Sequence, residues 1–363
     1  MSRKRAEGDL PALTSPLPMP RSLYDTDLDP QDMRGAIAAF PDHLADGWGR
    51  GADGVGVDDD VTGIVICGMG GSAIGGDLVR ALSAEDSRVP VLVNRSYGVP
   101  GWVGASTLVI GSSYSGGTEE TLSAFEAARQ RGARLAAVTS GGTLQEKADG
   151  HPVITIPGGM QPRAALGYSL GVLLRVFRDS GLLDLSDDAF LTALGHAKQR
   201  ADAYSEDDRT NLAREISGAL EGTLPVVYTG PGLMEPVGMR WRTQIHENAK
   251  HPAVGNVFPE LDHNEIMGYE AGPADVLGRM EVLALKDTDD HPQTGRRFDI
   301  TRELVARTVS GWRSVESEGE SRLDRMLSLI QLGDWVSFWL AMRKGVDPTP
   351  VETIQNLKGA LAG

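Results

Sequence analysis

The chain is short of several things that proteins of its size often carry, and each shortage narrows what it can do. It holds one cysteine in 363 residues, Cys67, so no intrachain disulfide can form. That residue sits in an apolar run, where a cysteine acts as a small buried hydrophobe. Lysine is scarce, with seven at positions 4, 147, 198, 250, 286, 344 and 358 among 35 basic residues facing 50 acidic ones. The net charge of −15 argues against nucleic acid or an anionic membrane as the main partner. No apolar run reaches the roughly 18 residues of a membrane-spanning helix. The start, Met1-Ser-Arg-Lys-Arg-Ala6, resembles the basic end of a secretory signal, but Glu7-Gly-Asp9 and a proline-rich stretch replace the apolar core. The expectation is a cytoplasmic protein, with residues 1–24 a flexible segment.

What is present is an alternation of short apolar runs with helical patterns. Asp29-Pro30 reads as an N-cap and first-turn proline opening a helix to about residue 44. Strands are expected at 63–67, 89–94, 106–111, 133–139 and 152–156. Helices are expected at 72–84, 118–131, 142–148 and 163–181. Two helical stretches follow, at 187–203 and 208–221. The alternation then restarts, with a strand at 225–229, a helix to about 248, strands near 253–257 and 280–285, and a helix near 299–308. Helices at about 320–343 and 350–361 close the chain. Short strands separated by helices predict parallel sheets covered on both faces. The expected organisation is an α/β unit over 25–182, a helical connector over 183–206, a second unit over 207–346 and a C-terminal helical segment over 347–363.

Two turns of similar design stand out in the first unit. Gly68-Met-Gly-Gly-Ser-Ala-Ile-Gly-Gly76 follows the first strand, and Ser113-Tyr-Ser-Gly-Gly-Thr-Glu-Glu-Thr121 follows the third. Glycines let a backbone approach an anion closely, and the N–H groups of a helix start point at it. Ser113, Ser115 and Thr118 add three hydroxyl donors. Together the turns describe a phosphate pocket. The first also fits the dinucleotide fingerprint through Gly68, Gly70 and Ala73, with Arg95 available to a 2′-phosphate, so an NADP site stays open. So does the plainer reading of two tight turns whose serines satisfy each other.

These turns, with Pro162-Arg-Ala-Ala-Leu-Gly167, resemble the sugar isomerase (SIS) domain. Ile245-His-Glu-Asn-Ala-Lys250, Leu261-Asp-His-Asn-Glu265 and the tail Asp347 to Lys358 extend the likeness. Taken together, the motifs are similar to those of the bifunctional phosphoglucose/phosphomannose isomerases, in order and over most of the chain beyond about residue 25. One departure is Gly117, where a polar residue, often asparagine, is expected. The resemblance implies two SIS-type subdomains, each a parallel sheet flanked by helices in a flavodoxin-like three-layer sandwich.

It also implies a reaction, the interconversion of glucose 6-phosphate, and mannose 6-phosphate, with fructose 6-phosphate through a cis-enediol(ate). By resemblance Glu247 is the base, Arg163 stabilises the enediolate, and His263 and Lys358 open the sugar ring. His263 would come from the neighbouring subunit of a homodimer. Ser113, Ser115 and Thr118 would hold the phosphate, with Gly70, Gly71 and Ser72 along the sugar. Thr349, with Thr353 as rival, would lie beside C2–C3. Glu119 and Glu120 would point away from the phosphate and favour the helix dipole. No cofactor and no metal are implied. Taken singly, each site residue has a plainer reading as a surface acid, a loop histidine or a helix-end cation.

A zinc site at His246-Glu247-Asn-Ala-Lys-His251 fails on geometry, because a spacing of five sets the two rings about 140° apart on a helix. Two further functions stay open: a non-catalytic sugar-phosphate sensor, which would need no base, and an isomerase of another phosphosugar.

Overall fold

The computed structural model describes residues 22–52 and 54–361. The expected flexible segment lies outside them up to residue 21. Its last residues, however, are tied down: the Ser22 hydroxyl and the N–H groups of Leu23 and Tyr24 donate to the Asp207 carboxylate at 2.8, 2.6 and 2.9 Å.

The expected first helix is two, α1 (Met33–Ala38) and α2 (Phe40–Gly49). Asp32, in the left-handed region at φ 51°, caps α1 by accepting from Gly35 N. The carboxylate of Asp29, expected to be the cap, instead takes the N–H groups of Met33 and Arg34.

The first sheet is built from β1 (Gly63–Cys67), α3 (Gly70–Leu82), β2 (Val91–Asn94), β3 (Thr107–Ser113), α4 (Glu119–Gln130), β4 (Arg134–Thr139), α5 (Gly142–Lys147), β5 (Val153–Thr155) and α6 (Leu166–Asp179). All its strands are parallel, in the order β2-β1-β3-β4-β5. Every residue of β1 and β3 is buried, as apolar strands covered on both faces must be.

Helices α7 (Asp187–Ser205) and α8 (Leu212–Leu220) lead to the second sheet. There β6 (Leu224–Thr229), α9 (Glu235–Ala249) and β7 (Val254–Val257) come first. Short helices α10 (Gly268–Ala271) and α11 (Ala274–Leu277), then β8 (Met280–Lys286), α12 (Pro292–Val305) and β9 (Gly311–Glu316) complete it. Its order, β7-β6-β8-β9, repeats that of the first four strands, again all parallel. Strand β9 is not among the expected strands. It is an edge strand whose sequence, Gly-Trp-Arg-Ser-Val-Glu, buries only Val315 and so lacks an apolar run. Helix α12 starts at Pro292 rather than near 299, because His291 caps it and a proline suits its first position.

Two helices close the chain, α13 (Arg322–Lys344) and α14 (Glu352–Leu361). Residues 323 to 342 of α13 are all buried. One continuous core joins Ile64 and Ile66 of the first sheet to Leu283 and Leu285 of the second through Trp335 and its neighbours on α13. Gly333 lets α9 come close: a Cβ there would collide with the Trp241 indole nitrogen, which donates to Leu329 O at 2.7 Å. A separate core on the other face of the second sheet unites Val226, Tyr228 and Val282 with Phe258, Leu261 and Phe298. Helix α9 therefore covers one face of that sheet, while α12 and the 258–269 segment cover the other. Among the described residues, no helix is long and apolar enough to cross a membrane.

Candidate active site

In a doubly wound sheet, ligands bind outside the carboxyl ends of the strands where the order reverses. In the first sheet that place lies between β1 and β3, and both glycine turns stand on it. Gly68 is pressed against the tip of β3, since a Cβ there would sit 2.9 Å from Ser112 O. Ser72, in the first turn of α3, accepts the Tyr114 N–H at 3.2 Å and so ties the first turn to the second. Gly70 takes φ 52°, which suits glycine. Gly71 carries the Arg163 loop directly on its backbone, where a Cβ would meet Pro162 O at 2.9 Å.

The second turn gathers its hydroxyls ahead of α4. Ser113 and Thr118 share a hydrogen bond of 2.8 Å, and Ser115 accepts from Gly117 N at 3.3 Å. Thr118 is the N-cap of α4 but spends no side-chain bond on capping; its hydroxyl is bonded to that of Ser113 and not to the helix. Glu119 is exposed and Glu120 half-buried, and the charge of both raises the pKa of Tyr97. A Cβ on Gly117 would find only the Ser115 hydroxyl, at 4.0 Å, so there is room for the side chain expected there.

Arg163 arrives on the loop between β5 and α6 and is 3% exposed. Its Nε donates to Asn248 Oδ1 at 2.6 Å, and its Nη2 donates to the carbonyls of Pro348 and Thr349 at 2.7 and 2.9 Å. Nη1 lies 3.4 Å from Glu247 Oε2. Burial pulls the Arg163 pKa down and the charge of Glu247 opposes this. Glu247 is near the end of α9, so a residue of the second half reaches the loop of the first. Behind it, Asn248 donates to Ser337 Oγ at 2.9 Å, and Arg240 pairs with Asp334 at 2.7 Å while donating to Arg163 O at 3.1 Å.

Beside Glu247 lies a cleft of about 420 Å³, lined by His246, Glu247 and Lys250 on one side and residues 350–354 on the other. Thr349 is 3% exposed and its hydroxyl has no partner among the described residues. Thr353 lines the cleft from α14. Lys358 is exposed on α14, one turn beyond Ile354 on the same helical face, and Ile354 also lines the cleft.

His263 is not brought to this cleft. It is exposed, on the face of the second sheet opposite α9. Its loop is pinned on either side. Asp262 accepts from Arg297 at 2.8 Å and Thr301 at 2.9 Å, and Glu265 accepts from Tyr228 and from Asn256. Arg95, which an NADP site needed free, is paired with Asp77. The two histidines of the discarded zinc motif turn to separate backbone groups, His246 to Ala253 O at 3.0 Å and His251 to Thr223 O at 2.8 Å.

Asn248, Arg240 and Lys250 are not among the site residues expected from the sequence. Lys250 is visible there as the last residue of the Ile245–Lys250 motif, with no role attached to it. The buried pairs depend on helix packing and leave no spacing to read.

Residues 209–361 match the model of the bacterial phospho-glucose isomerase C-terminal SIS domain. A bifunctional phosphoglucose/phosphomannose isomerase of Caldicellulosiruptor bescii is 47% identical over 308 residues, covering 84% of this chain and 91% of the relative. The enzyme of the same description from Aquifex aeolicus is 37% identical, over 82% and 90%. The solved C-terminal domain of glucosamine-fructose-6-phosphate aminotransferase from Francisella tularensis shares the fold, with a TM-score of 0.66 at 15% identity over 87% of this chain and 97% of that one. By its likeness to the curated relatives over nearly their whole length, the chain belongs to the bifunctional phosphoglucose/phosphomannose isomerase family.

Proposed function

We propose that the protein interconverts glucose 6-phosphate, and mannose 6-phosphate, with fructose 6-phosphate. The observation that carries this reading is the pairing of one carboxylate, Glu247, with a buried guanidinium, Arg163, whose loop packs on Gly71 of the first glycine-rich turn. Ser113, Ser115, Thr118 and the free N–H groups at the start of α4 hold the phosphate. The sugar runs along Gly70, Gly71 and Ser72. Glu247 takes the proton from the carbon beside the carbonyl, and the C–H electron pair becomes the C1–C2 double bond. Arg163 stabilises the negative charge that develops on oxygen. Returning the proton to the neighbouring carbon, while the hydroxyl proton passes from O2 to O1, completes the isomerisation, and no outside oxidant or reductant is needed. Return to either face of C2 gives the glucose or the mannose configuration. The unpartnered hydroxyl of Thr349 is the group we assign beside C2–C3.

Ring opening requires Lys358 and a histidine. Within one chain, the second sheet stands between Glu247 and His263, so the site is completed by a second copy. Helix α14 points the same way. It buries no residue, and Ile354, Leu357 and Leu361 leave an apolar stripe at 41, 61 and 71% exposure. Such a face on a ten-residue helix needs a partner in order to persist. A doubly charged sugar phosphate does not diffuse through a membrane, so we assign the enzyme to the cytoplasm.

The test is Glu247→Gln, which keeps the side-chain shape and a hydrogen bond to Arg163. Purified protein should turn over all three hexose 6-phosphates, and the variant should lose about 10²–10⁴-fold in kcat with little change in KM. Retained turnover in the variant removes Glu247 from the reaction. A wild-type protein that binds hexose 6-phosphates but converts none is a sensor.

A further inference from the structure

Lys250 follows Glu247-Asn248-Ala249 and ends α9 in the left-handed region, at φ 47° and ψ 47°. Glycine is the residue that adopts this conformation freely, and a lysine there costs about 1 kcal/mol. A side chain kept at such a position invites the question of what it holds. Its Nζ donates to Asp347 O at 2.7 Å, Pro348 O at 2.9 Å and Asn248 O at 3.4 Å. Pro348 O is the same carbonyl that receives Arg163 Nη2 at 2.7 Å. The chain crossing at 347–349 is therefore gripped by two cations at once, and one of them is the guanidinium facing Glu247.

The grip bears on the spacing of that pair. An unrestrained arginine and carboxylate close to about 2.7–2.9 Å, often through two parallel bonds. Here Nη1 and Oε2 stay at 3.4 Å, with Nε and Nη2 committed to Asn248 and the tail carbonyls. A carboxylate left this open keeps its access to a C–H bond, and one embraced by both arms of an arginine loses it.

We propose that Lys250 is a positioning residue for the isomerisation: by holding the Asp347 and Pro348 carbonyls it fixes the tail, and through the tail it keeps Arg163 from collapsing onto Glu247. This rests on the reading of Glu247 and Arg163 given above. Burial and the neighbouring charge of Arg163 bring the Lys250 pKa down to about 8. The charged groups facing it are Arg163 from the β5–α6 loop, Glu247 on its own helix, Asp347 of the tail and Lys344 of α13. Lys344 in turn holds Ala249 O, Lys250 O and His251 Nδ1. The ammonium is present below about pH 8 and lost above it, so the grip weakens on the alkaline side.

Three proteins test this: the wild type, Lys250→Gly and Lys250→Arg, each assayed for kcat and KM on glucose 6-phosphate from pH 6 to about 10 and for thermal melting. Lys250→Gly removes the ammonium while supplying the residue the backbone favours. Its kcat should fall about 10–100-fold, as for a misplaced catalytic group, with KM within about threefold and the melting temperature little changed. Lys250→Arg should recover part of kcat and move the alkaline limb up from about pH 8, because its guanidinium stays charged. Full kcat in Lys250→Gly, or an alkaline limb unmoved in Lys250→Arg, overturns the proposal. A loss confined to melting temperature would overturn it too, making Lys250 merely structural. Wild-type protein without turnover would instead overturn the reading of the site itself, and this inference with it.

Discussion

The turn after β3 and the turn after β8 occupy the same place in two sheets of the same strand order, and they carry opposite chemistry. In the first sheet the residues are Ser113-Tyr-Ser-Gly-Gly-Thr118, with three aliphatic hydroxyls and no fixed charge ahead of α4. In the second they are Asp287-Thr-Asp-Asp-His291, with three carboxylates ahead of α12. The first-strand glycines behave alike in both. Gly68 presses on Ser112 O, whereas a Cβ on Gly230 would collide with Asp290 Oδ1. The second tip fills its own anion position. Asp290 accepts the Asp287 N–H at 3.0 Å. Asp287 is in turn held by Ser317 at 2.6 Å and by buried Arg325 at 2.8 Å. A doubly wound sheet offers a donor-rich tip wherever its order reverses. What decides between a substrate site and a structural joint is whether the chain supplies its own carboxylate there.

The sharpest way to break this comparison is to move the second tip's chemistry into the first. Thr118→Asp puts a carboxylate where the phosphate is expected, at a position where aspartate is a favourable N-cap. Helix α4 should therefore keep or gain stability while the substrate is repelled. At an effective dielectric of about 20, like charges about 4 Å apart cost about 4 kcal/mol, or about 10³-fold in affinity. Titration calorimetry with fructose 6-phosphate and a melting curve separate the two effects. Binding that survives would place the phosphate elsewhere.

The reverse exchange, Asp287→Ser, should produce no second site. It leaves the Arg325 guanidinium, which is 9% exposed at the side chain, with only the exposed Asp289 at 3.2 Å. Stripping a buried cation of its main partner should destabilise the protein by about 3 kcal/mol, read as a fall in the urea midpoint. A neutral result would mean that Arg325 is neutralised through Asp289 alone.

The two tips also differ in how legible they are. The first strand–turn–helix unit can be read from an apolar run ending in turn residues, and its hydroxyl-rich turn announces an anion through its composition; in the second the strand can be read, but the helix is expected near 299 and starts at Pro292. The carboxylate-rich turn reads as an ordinary loop, because its meaning lies in Arg325, which is distant in sequence and reaches it only once α13 packs. The same limit hides Asn248 and Arg240 behind Arg163. It also hides β9, an edge strand whose alternation of Arg and Ser with Val suits a half-exposed ribbon. Glu247 can be named from its motif, but that α9 and the His263 loop lie on opposite faces of one sheet needs the strand order. Local chemistry leaves a local signature; partnership across helices does not.

The smallest expected effect concerns Asp290, the group that fills the second tip. Burial, aided by the charges of Asp287 and Asp289, lifts its pKa from the usual 3.8 to about 6. A carboxyl raised in the folded state binds its proton more tightly there than when unfolded. Its contribution to stability is therefore complete below about pH 4 and is lost as pH rises towards 6. In Asp290→Asn the side-chain amide can still accept the Asp287 N–H through its oxygen but never ionises. The variant's stability relative to wild type should therefore climb between pH 4 and 6 and level off above. Because water still reaches part of the group, the gain should be about 1 kcal/mol rather than the full shift. Urea unfolding of both proteins at several pH values measures that difference, in which every other titrating group cancels. A difference that stays flat would show Asp290 ionising freely, and the second tip would then hold its negative charge as comfortably as the first is expected to hold a phosphate.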